Sequence, residues 1–144
     1  SVLDMKGVGP DDKDRVVDFD TITTAFESDK IDSVGVSLSG EEICCVDVDC
    51  HDPALREKYE ELKEEILAMF HTYAETSISG LGVHIYVKGK KPEGYKHCDK
   101  FGIIEVYDCS RFMIVTGNPV DEAHDTYLAV CQEQLNALCR KNYL

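Results

Sequence analysis

The chain has no long hydrophobic run, and it begins without the basic and apolar regions of a signal peptide. A helix that crosses a bilayer needs about 18 or more consecutive apolar residues, and the 144 residues contain no such run. The first six residues, SVLDMK, mix charged with apolar side chains and show no leader pattern. These absences predict a protein that does not enter a membrane and that acts in the cytoplasm.

Disulfide and zinc motifs are also missing. The seven cysteines are an odd number and include the adjacent pair Cys44 and Cys45, but no Cys-x-x-Cys occurs. This pattern fits reduced cytosolic thiols better than a disulfide framework. Zinc binding by the Cys-His pairs at 50–51 and 97–98 together with Cys109 has no supporting spacing. We therefore expect the thiols to pack as small apolar side chains.

Basic residues are scarce, with 15 Lys and Arg against 28 Asp and Glu, which gives a net charge of −13. Because affinity for nucleic acid depends on neutralising phosphates, this balance argues against a domain that grips a duplex by itself. The charge is uneven, however. Acidic residues concentrate at 41–65, whereas residues 86–100 contain five lysines and form a local basic segment.

The length and the 43% hydrophobic content are those of one compact domain. Residues 1–17, rich in Asp, Lys and Gly, are predicted to be a flexible lead, and residues 18–144 the folded domain. Apolar periodicity predicts helices at 18–29, 53–69 and 121–139. Strands are predicted at 33–38, 43–49, 72–76, 83–87, 103–107 and 112–116.

The order of these elements favours an α+β fold, with a mixed or antiparallel sheet and packed helices, because strands and helices do not alternate strictly. A Ser-Gly-Glu-Glu turn separates the first two strands and predicts that they form a hairpin. One domain with one sheet and helices against it is therefore expected.

Two carboxylates, Asp47 and Asp49, lie at the end of an otherwise apolar run. Residues i and i+2 of a strand project from the same face, so these side chains stand roughly 7 Å apart at Cα. Like charges so close repel unless a proton or cation lies between them. Such pairs hold the divalent metals of polymerases and nucleases. An edge strand whose polar face meets water is the alternative.

A segment rich in serine and glycine, residues 77–82, precedes the predicted strand that contains His84. Its two glycines allow a ligand to approach the backbone, and the hydroxyls of Ser77 and Ser79 are donors for phosphate oxygens. Taken alone, a histidine in such a strand is more often a hydrogen-bonded structural residue than a ligand contact. The segment becomes informative only together with other motifs.

A third group of polar residues lies in the last two predicted strands. Glu105 alternates with Ile104 and Val106, so its carboxylate belongs to a strand that is otherwise buried and needs a partner or a metal. Arg111 begins the next strand. Its planar guanidinium suits a triphosphate, although an ion pair with Asp108 is the ordinary alternative.

Taken in order, these groups resemble the bifunctional primase-polymerase domain of phage and plasmid replication proteins, in the archaeo-eukaryotic primase superfamily. The resemblance covers roughly residues 18–120. Three motifs carry it, namely Asp47-x-Asp49, Tyr73-x-Glu75-x-Ser77-x-Ser79-Gly80-x-Gly82-x-His84, and Glu105-x-Tyr107-Asp108-x-x-Arg111-Phe112-x-x-x-Thr116-Gly117.

The resemblance implies a core related to the RNA-recognition fold, with the active site on the sheet and helices behind it. It implies that Asp47, Asp49 and Glu105 are catalytic and hold Mg²⁺ or Mn²⁺. Without metal, their mutual repulsion predicts a raised pKa for at least one of them. His84 is expected to be both catalytic and nucleotide-binding. The other expected nucleotide-binding residues are Ser79, Gly80, Gly82, Lys88 and Arg111.

The function implied by the resemblance is that of a metal-dependent nucleotidyltransferase, a DNA primase or template-dependent polymerase of phage or plasmid replication. Its expected partners are nucleoside triphosphates, a single-stranded nucleic acid template and a replicative helicase module or subunit. The alternative is a nucleotide- or template-binding module with reduced catalysis. A replication-initiator nuclease is disfavoured, since that chemistry places two histidines one residue apart on a strand, whereas Ile85 and Tyr86 follow His84.

Overall fold

The computed structural model describes residues 17–28, 31, 33–39, 42–95 and 99–142. The predicted flexible lead lies outside these residues except for Val17. The helices are α1 (Phe19–Glu27), α2 (Arg56–Met69) and α3 (Gln132–Asn142). The strands are β1 (Val34–Ser39), β2 (Ile43–Val48), β3 (Ala74–Thr76), β4 (Val83–Lys88), β5 (Ile104–Tyr107) and β6 (Cys109–Val115). The predicted α+β class with antiparallel strands is confirmed.

A four-stranded antiparallel sheet, in the order β3-β4-β2-β5, forms the centre of the domain. Side chains alternate between its two faces along each strand. The apolar side chains of one face pack against α2 and α3 and form the main core. Its residues include Cys44, Val46, Val48, Tyr59, Leu62, Ile66, Phe70, Ile85, Val106, Leu135 and Leu138. The opposite face carries the polar residues of the motifs.

A second, two-stranded antiparallel sheet joins β1 to β6. It contacts the polar face of the central sheet, where Leu38 and Met113 pack with Cys45 and Tyr86. The predicted hairpin between the first two strands is therefore wrong. Both edges of β2 are already paired, with β4 and β5. The chain passes from one sheet to the other near Glu42, which has a left-handed φ of 69°.

The closing helix begins later than its prediction at 121–139, since α3 starts only at Gln132. Before it, residues 122–124 form a turn, and Val130 makes an isolated bridge to Lys88 at the end of β4. The backbone N–H of Lys88 donates to the carbonyl of Ala129 at 2.8 Å. Tyr127, which falls at helical spacing, is 92% exposed. Strand pairing, which apolar periodicity does not reveal, therefore decides the structure here. All other predicted helices and strands are present.

None of the helices in the described part of the chain is long and apolar enough to cross a bilayer. The predicted burial of thiols is confirmed for Cys44, Cys45, Cys131 and Cys139, whereas Cys109 is exposed. The Cys-His pair at 97–98 lies outside the described residues.

Candidate functional site

Four ionisable side chains form a row across the polar face of the central sheet. The strand register opposes Glu75 to His84, His84 to Asp47, and Asp47 to Glu105. Directly opposed residues in antiparallel strands have Cβ atoms about 5 Å apart. Residues that are distant in the sequence therefore become neighbours on β3, β4, β2 and β5.

A cleft of about 520 Å³ opens over the middle of this row. Its polar lining comes from the central sheet, from the loop that precedes β4, and from β6. The residues are Asp47, Asp49, Ser77, Ser79, His84, Ser110 and Arg111. The structure thus places the two predicted metal-binding aspartates in one cavity with three of the predicted phosphate contacts.

Four predicted site residues do not line this cleft, namely Gly80, Gly82, Lys88 and Glu105. Glu105 lies on the edge strand β5, and its carboxylate accepts a hydrogen bond from the hydroxyl of Tyr107. Lys88 ends the strand that contains His84, four residues and about 13 Å away. It lines a separate pocket beside the start of α3. The structure therefore does not bring Lys88 to the other predicted nucleotide contacts.

The loop between β3 and β4 is folded by its own serines. Ser77 Oγ accepts a hydrogen bond from the N–H of Gly82 at 3.1 Å, and Ser79 Oγ accepts from the N–H of Leu81 at 3.2 Å. The two hydroxyl oxygens lie 3.0 Å apart. One hydroxyl hydrogen bridges this pair, so the other hydroxyl hydrogen is not used within it. Gly80 lies in the exposed part of the loop with φ 74°.

Gly82 packs directly against Asp49. A Cβ atom at position 82 would lie 3.0 Å from the carbonyl oxygen of Val48 and 3.1 Å from Asp49 Cγ. We expect Gly82→Ala to displace the Asp49 side chain and to lower the free energy of unfolding by about 1–3 kcal/mol, measured by chemical denaturation. Gly80→Asn is the matched control, since that position is open and Asn tolerates a positive φ. An equal loss in both variants would contradict the packing argument.

The carboxylates of Asp49 and Glu105 have partners other than Asp47. Asp49 Oδ1 accepts a hydrogen bond from the N–H of Cys50 at 2.7 Å, and Oδ2 lies 3.5 Å from Nε2 of His51. In the described part of the chain, no three His, Cys, Asp or Glu side chains are grouped as they would be around a metal ion. Carboxylates are the kind of ligand that Mg²⁺ and Mn²⁺ prefer. Of the three predicted metal ligands, only Asp47 and Asp49 line the cleft.

The ionised form of Asp47 is electrostatically unfavourable in this arrangement. Burial raises the pKa of Asp47 above its ordinary value of 3.8, His84 opposes the shift, and the charges of Asp49 and Glu105 add to it. The predicted rise in a carboxylate pKa is confirmed in direction, with burial as the largest cause. The ionised form of Asp47 therefore destabilises the fold unless a cation compensates for it.

His84 lies between two carboxylates, beyond hydrogen-bond distance of both. Its Nε2 is 3.9 Å from Asp47 Oδ1, and its Nδ1 is 3.6 Å from Glu75 Oε1. Burial alone would lower the pKa of His84, but Glu75 and Asp47 outweigh burial and raise it. These carboxylates therefore stabilise the positively charged form of the ring relative to that of an ordinary histidine, and this form is complementary to a phosphate.

Glu75 is a residue that the motifs contain without revealing its role. Its carboxylate is completely buried and accepts hydrogen bonds from the hydroxyl of Tyr73 at 2.8 Å and from the N–H groups of Thr116 and Gly117 at 3.0 and 2.9 Å. Burial would raise the pKa of Glu75, but His84 and these donors lower it to about 2. The available signal was a carboxylate within a short apolar strand, which needs buried partners.

Arg111 lies at the rim of the cleft and is exposed. Its guanidinium carbon is 4.5 Å from the centre of the Tyr107 ring. Asp108, the alternative partner, instead accepts a hydrogen bond from the N–H of Lys91 at 3.2 Å. Stacking on Tyr107 orients the guanidinium while its N–H groups stay accessible to an anion.

Comparisons with known proteins give a partial match. No protein-family model matches the chain. A curated protein named DNA primase-polymerase, from Nitratiruptor phage NrS-1, is 38% identical to the chain over 68 residues. The match covers 45% of this chain and only 10% of the phage protein. The similarity agrees with the motif resemblance to primase-polymerases, and it concerns a small part of a much longer relative.

Proposed function

We propose that this chain acts in DNA replication as a primase or template-dependent polymerase, a nucleotidyltransferase for nucleoside triphosphates on a single-stranded template. One observation carries the proposal: the cleft in which Asp47, Asp49, His84 and Arg111 meet from separate parts of the chain. Acidic groups for metal beside cationic groups for phosphate are what phosphoryl transfer needs. The similarity to a phage DNA primase-polymerase supports the same function.

In this proposal Asp47 and Asp49 hold Mg²⁺ or Mn²⁺, and Glu105 joins them by turning from Tyr107. The carboxylate donors fit such an ion, and burial, with a smaller effect of the Asp49 and Glu105 charges, raises the pKa of Asp47, so a cation would stabilise its ionised form. A bound ion supplies Lewis-acid activation of a primer hydroxyl and neutralises charge on the phosphates. A replicative helicase module or subunit is the proposed partner in the cell.

The chain's own cations and hydroxyls bind the triphosphate in this proposal. His84 contributes Nε2 from the floor of the cleft, and Arg111 contributes its N–H donors from the rim. Hydrogen bonds from charged donors to phosphate oxygens are shorter and stronger than neutral ones. Of the two hydroxyl groups of Ser77 and Ser79, one donates to the other. The second is a neutral donor beside His84 and Arg111 in this proposal.

Metal binding predicts a change in stability that does not depend on activity. Adding Mn²⁺ to the metal-free protein is expected to raise the Tm and, at mildly acidic pH, to release protons, because the ion binds the ionised carboxylates. Thermal scans and pH recording in weak buffer measure both effects. The double variant Asp47→Asn, Asp49→Asn is the control and is expected to give neither. An unchanged Tm of the wild type in excess Mn²⁺ would argue strongly against a metal site here.

A second candidate is a nucleotide- or template-binding module with reduced catalysis. It is favoured by the absence, among the described residues, of a formed three-ligand group. Calorimetry with ATP and dATP plus Mn²⁺, run beside primer synthesis and extension assays, separates the two functions. Turnover supports the polymerase, and binding without turnover supports the module. The absence of binding would contradict both.

A further inference from the structure

The Nδ1 atom of His84 is buried and makes no hydrogen bond in the structure. It faces the carboxylate of Glu75, with 3.6 Å between Nδ1 and Oε1. An N–H···O hydrogen bond needs about 2.7–3.2 Å, so a movement of less than about 1 Å would complete the contact. A buried polar atom without a partner is unfavourable, which draws the ring towards Glu75.

The carboxylate of Glu75 is the fixed member of this pair. Donors from its own segment and from the residues after β6 hold it: the hydroxyl of Tyr73, and the backbone N–H groups of Thr116 and Gly117. The imidazole of His84 contacts Tyr86 edge-on, with ring centroids 6.2 Å apart, and its Nε2 lies 3.9 Å from Asp47 Oδ1, beyond hydrogen-bond distance. A ring anchored on one nitrogen by a fixed acceptor presents its other nitrogen in a fixed direction. Here that direction is the cleft.

We propose that Glu75 is the positioning residue for His84: its carboxylate receives the Nδ1–H group and aims Nε2 at the phosphate of a bound nucleotide. This inference rests on the proposed function, because it assigns how His84 meets that phosphate. Glu75 itself contacts no substrate, since it is completely buried behind the ring. In this proposal the carboxylate of Glu75 affects nucleotide affinity only by positioning His84.

The wild-type ring provides the first test, by nitrogen-15 NMR of His84 at a pH where the imidazole is neutral. We expect the hydrogen on Nδ1, facing Glu75. In Glu75→Gln we expect the ring signals to shift, whereas Tyr73→Phe, which removes a different partner of the same carboxylate, leaves them unchanged. A wild-type ring with its hydrogen on Nε2 alone overturns the proposal. So do signals that are the same in Glu75→Gln as in the wild type.

Calorimetry with ATP and dATP plus Mn²⁺ gives the second test. Glu75→Gln is expected to weaken binding about tenfold or more, Tyr73→Phe by less than about threefold, and Glu75→Gln should add nothing in a His84→Ala background. If Glu75→Gln weakens nucleotide binding as much in the His84→Ala background as in the wild type, the proposal is overturned, because Glu75 would then act through other residues. If the wild type binds neither nucleotide, the proposed function fails, while the ring signals still decide the positioning of His84.

Discussion

Asp47→Asn is expected to reduce nucleotidyl transfer by about 10³-fold or more without lowering thermal stability. The loss follows from the position of Asp47, which opposes both His84 and Glu105 in the strand register and lines the cleft. Removing one group that stabilises transition-state charge typically costs about 10²–10³ in rate. Because we propose that Asp47 binds the metal and it lies at the centre of the row, we expect its loss to reach or exceed the upper value.

The stability of this variant follows from the raised pKa of Asp47. A folded-state pKa above the ordinary value of 3.8 means that the ionised form costs stability at neutral pH. This cost disappears as the pH falls through the folded-state pKa. Asn occupies nearly the same volume without the charge, so we expect the Tm of metal-free Asp47→Asn to equal or exceed that of the wild type.

Primer extension in Mn²⁺ and thermal scans without metal measure the two effects in the same preparations. Glu64→Gln is the matched control, since Glu64 is an exposed carboxylate on α2, away from the cleft. It is expected to change neither quantity. Extension by Asp47→Asn within about tenfold of the wild type would contradict the catalytic role. A Tm several degrees lower would contradict the electrostatic argument.

The parts of this site that could be predicted from the sequence are those governed by local alternation and by residue chemistry. Asp47 and Asp49 face one way because they are two residues apart on a strand, and their charge in an apolar run predicts a functional role. Glu105 follows from the same reasoning. Lys88 is a predicted nucleotide contact that lines a different pocket. Its distance from the cleft depends on where along β4 the cleft opens, which no local pattern encodes.

Strand partners were the part that the sequence did not determine. The turn before β2 has the composition of a hairpin, yet β1 pairs with β6, whose residues lie far along the chain. Whether β1 can pair with β2 depends on which edges of β2 are already paired with other strands, and this is a property of the assembled sheet. The role of Glu75 could not be predicted from the sequence for the same reason. Its importance depends on Thr116 and Gly117, which reach it only through tertiary structure.

Glu75→Ala is expected to lower the free energy of unfolding by about 3–5 kcal/mol, one of the largest effects of any single substitution in this chain. The substitution removes the buried acceptor that Tyr73, Thr116 and Gly117 share and leaves these part-buried donors without it. Chemical denaturation at neutral pH measures the loss. Tyr73→Phe, which removes one donor and leaves the carboxylate, is the control with an expected cost of about 1 kcal/mol. Similar losses in the two variants would contradict the role of the carboxylate as the common acceptor.

The pH dependence of stability separates Glu75 from Asp47, because their pKa values shift in opposite directions. The pKa of Glu75 is lowered from 4.5 to about 2, so its stabilising effect is fully present above pH 4.5 and is lost as the pH falls towards 2. Asp47, with a raised pKa, gains stability as the pH falls. Denaturation curves from pH 7 to pH 3 should therefore show a weaker acid loss in Glu75→Gln and a stronger one in Asp47→Asn. Identical pH profiles for the two variants would contradict the opposite shifts in the pKa values of Glu75 and Asp47.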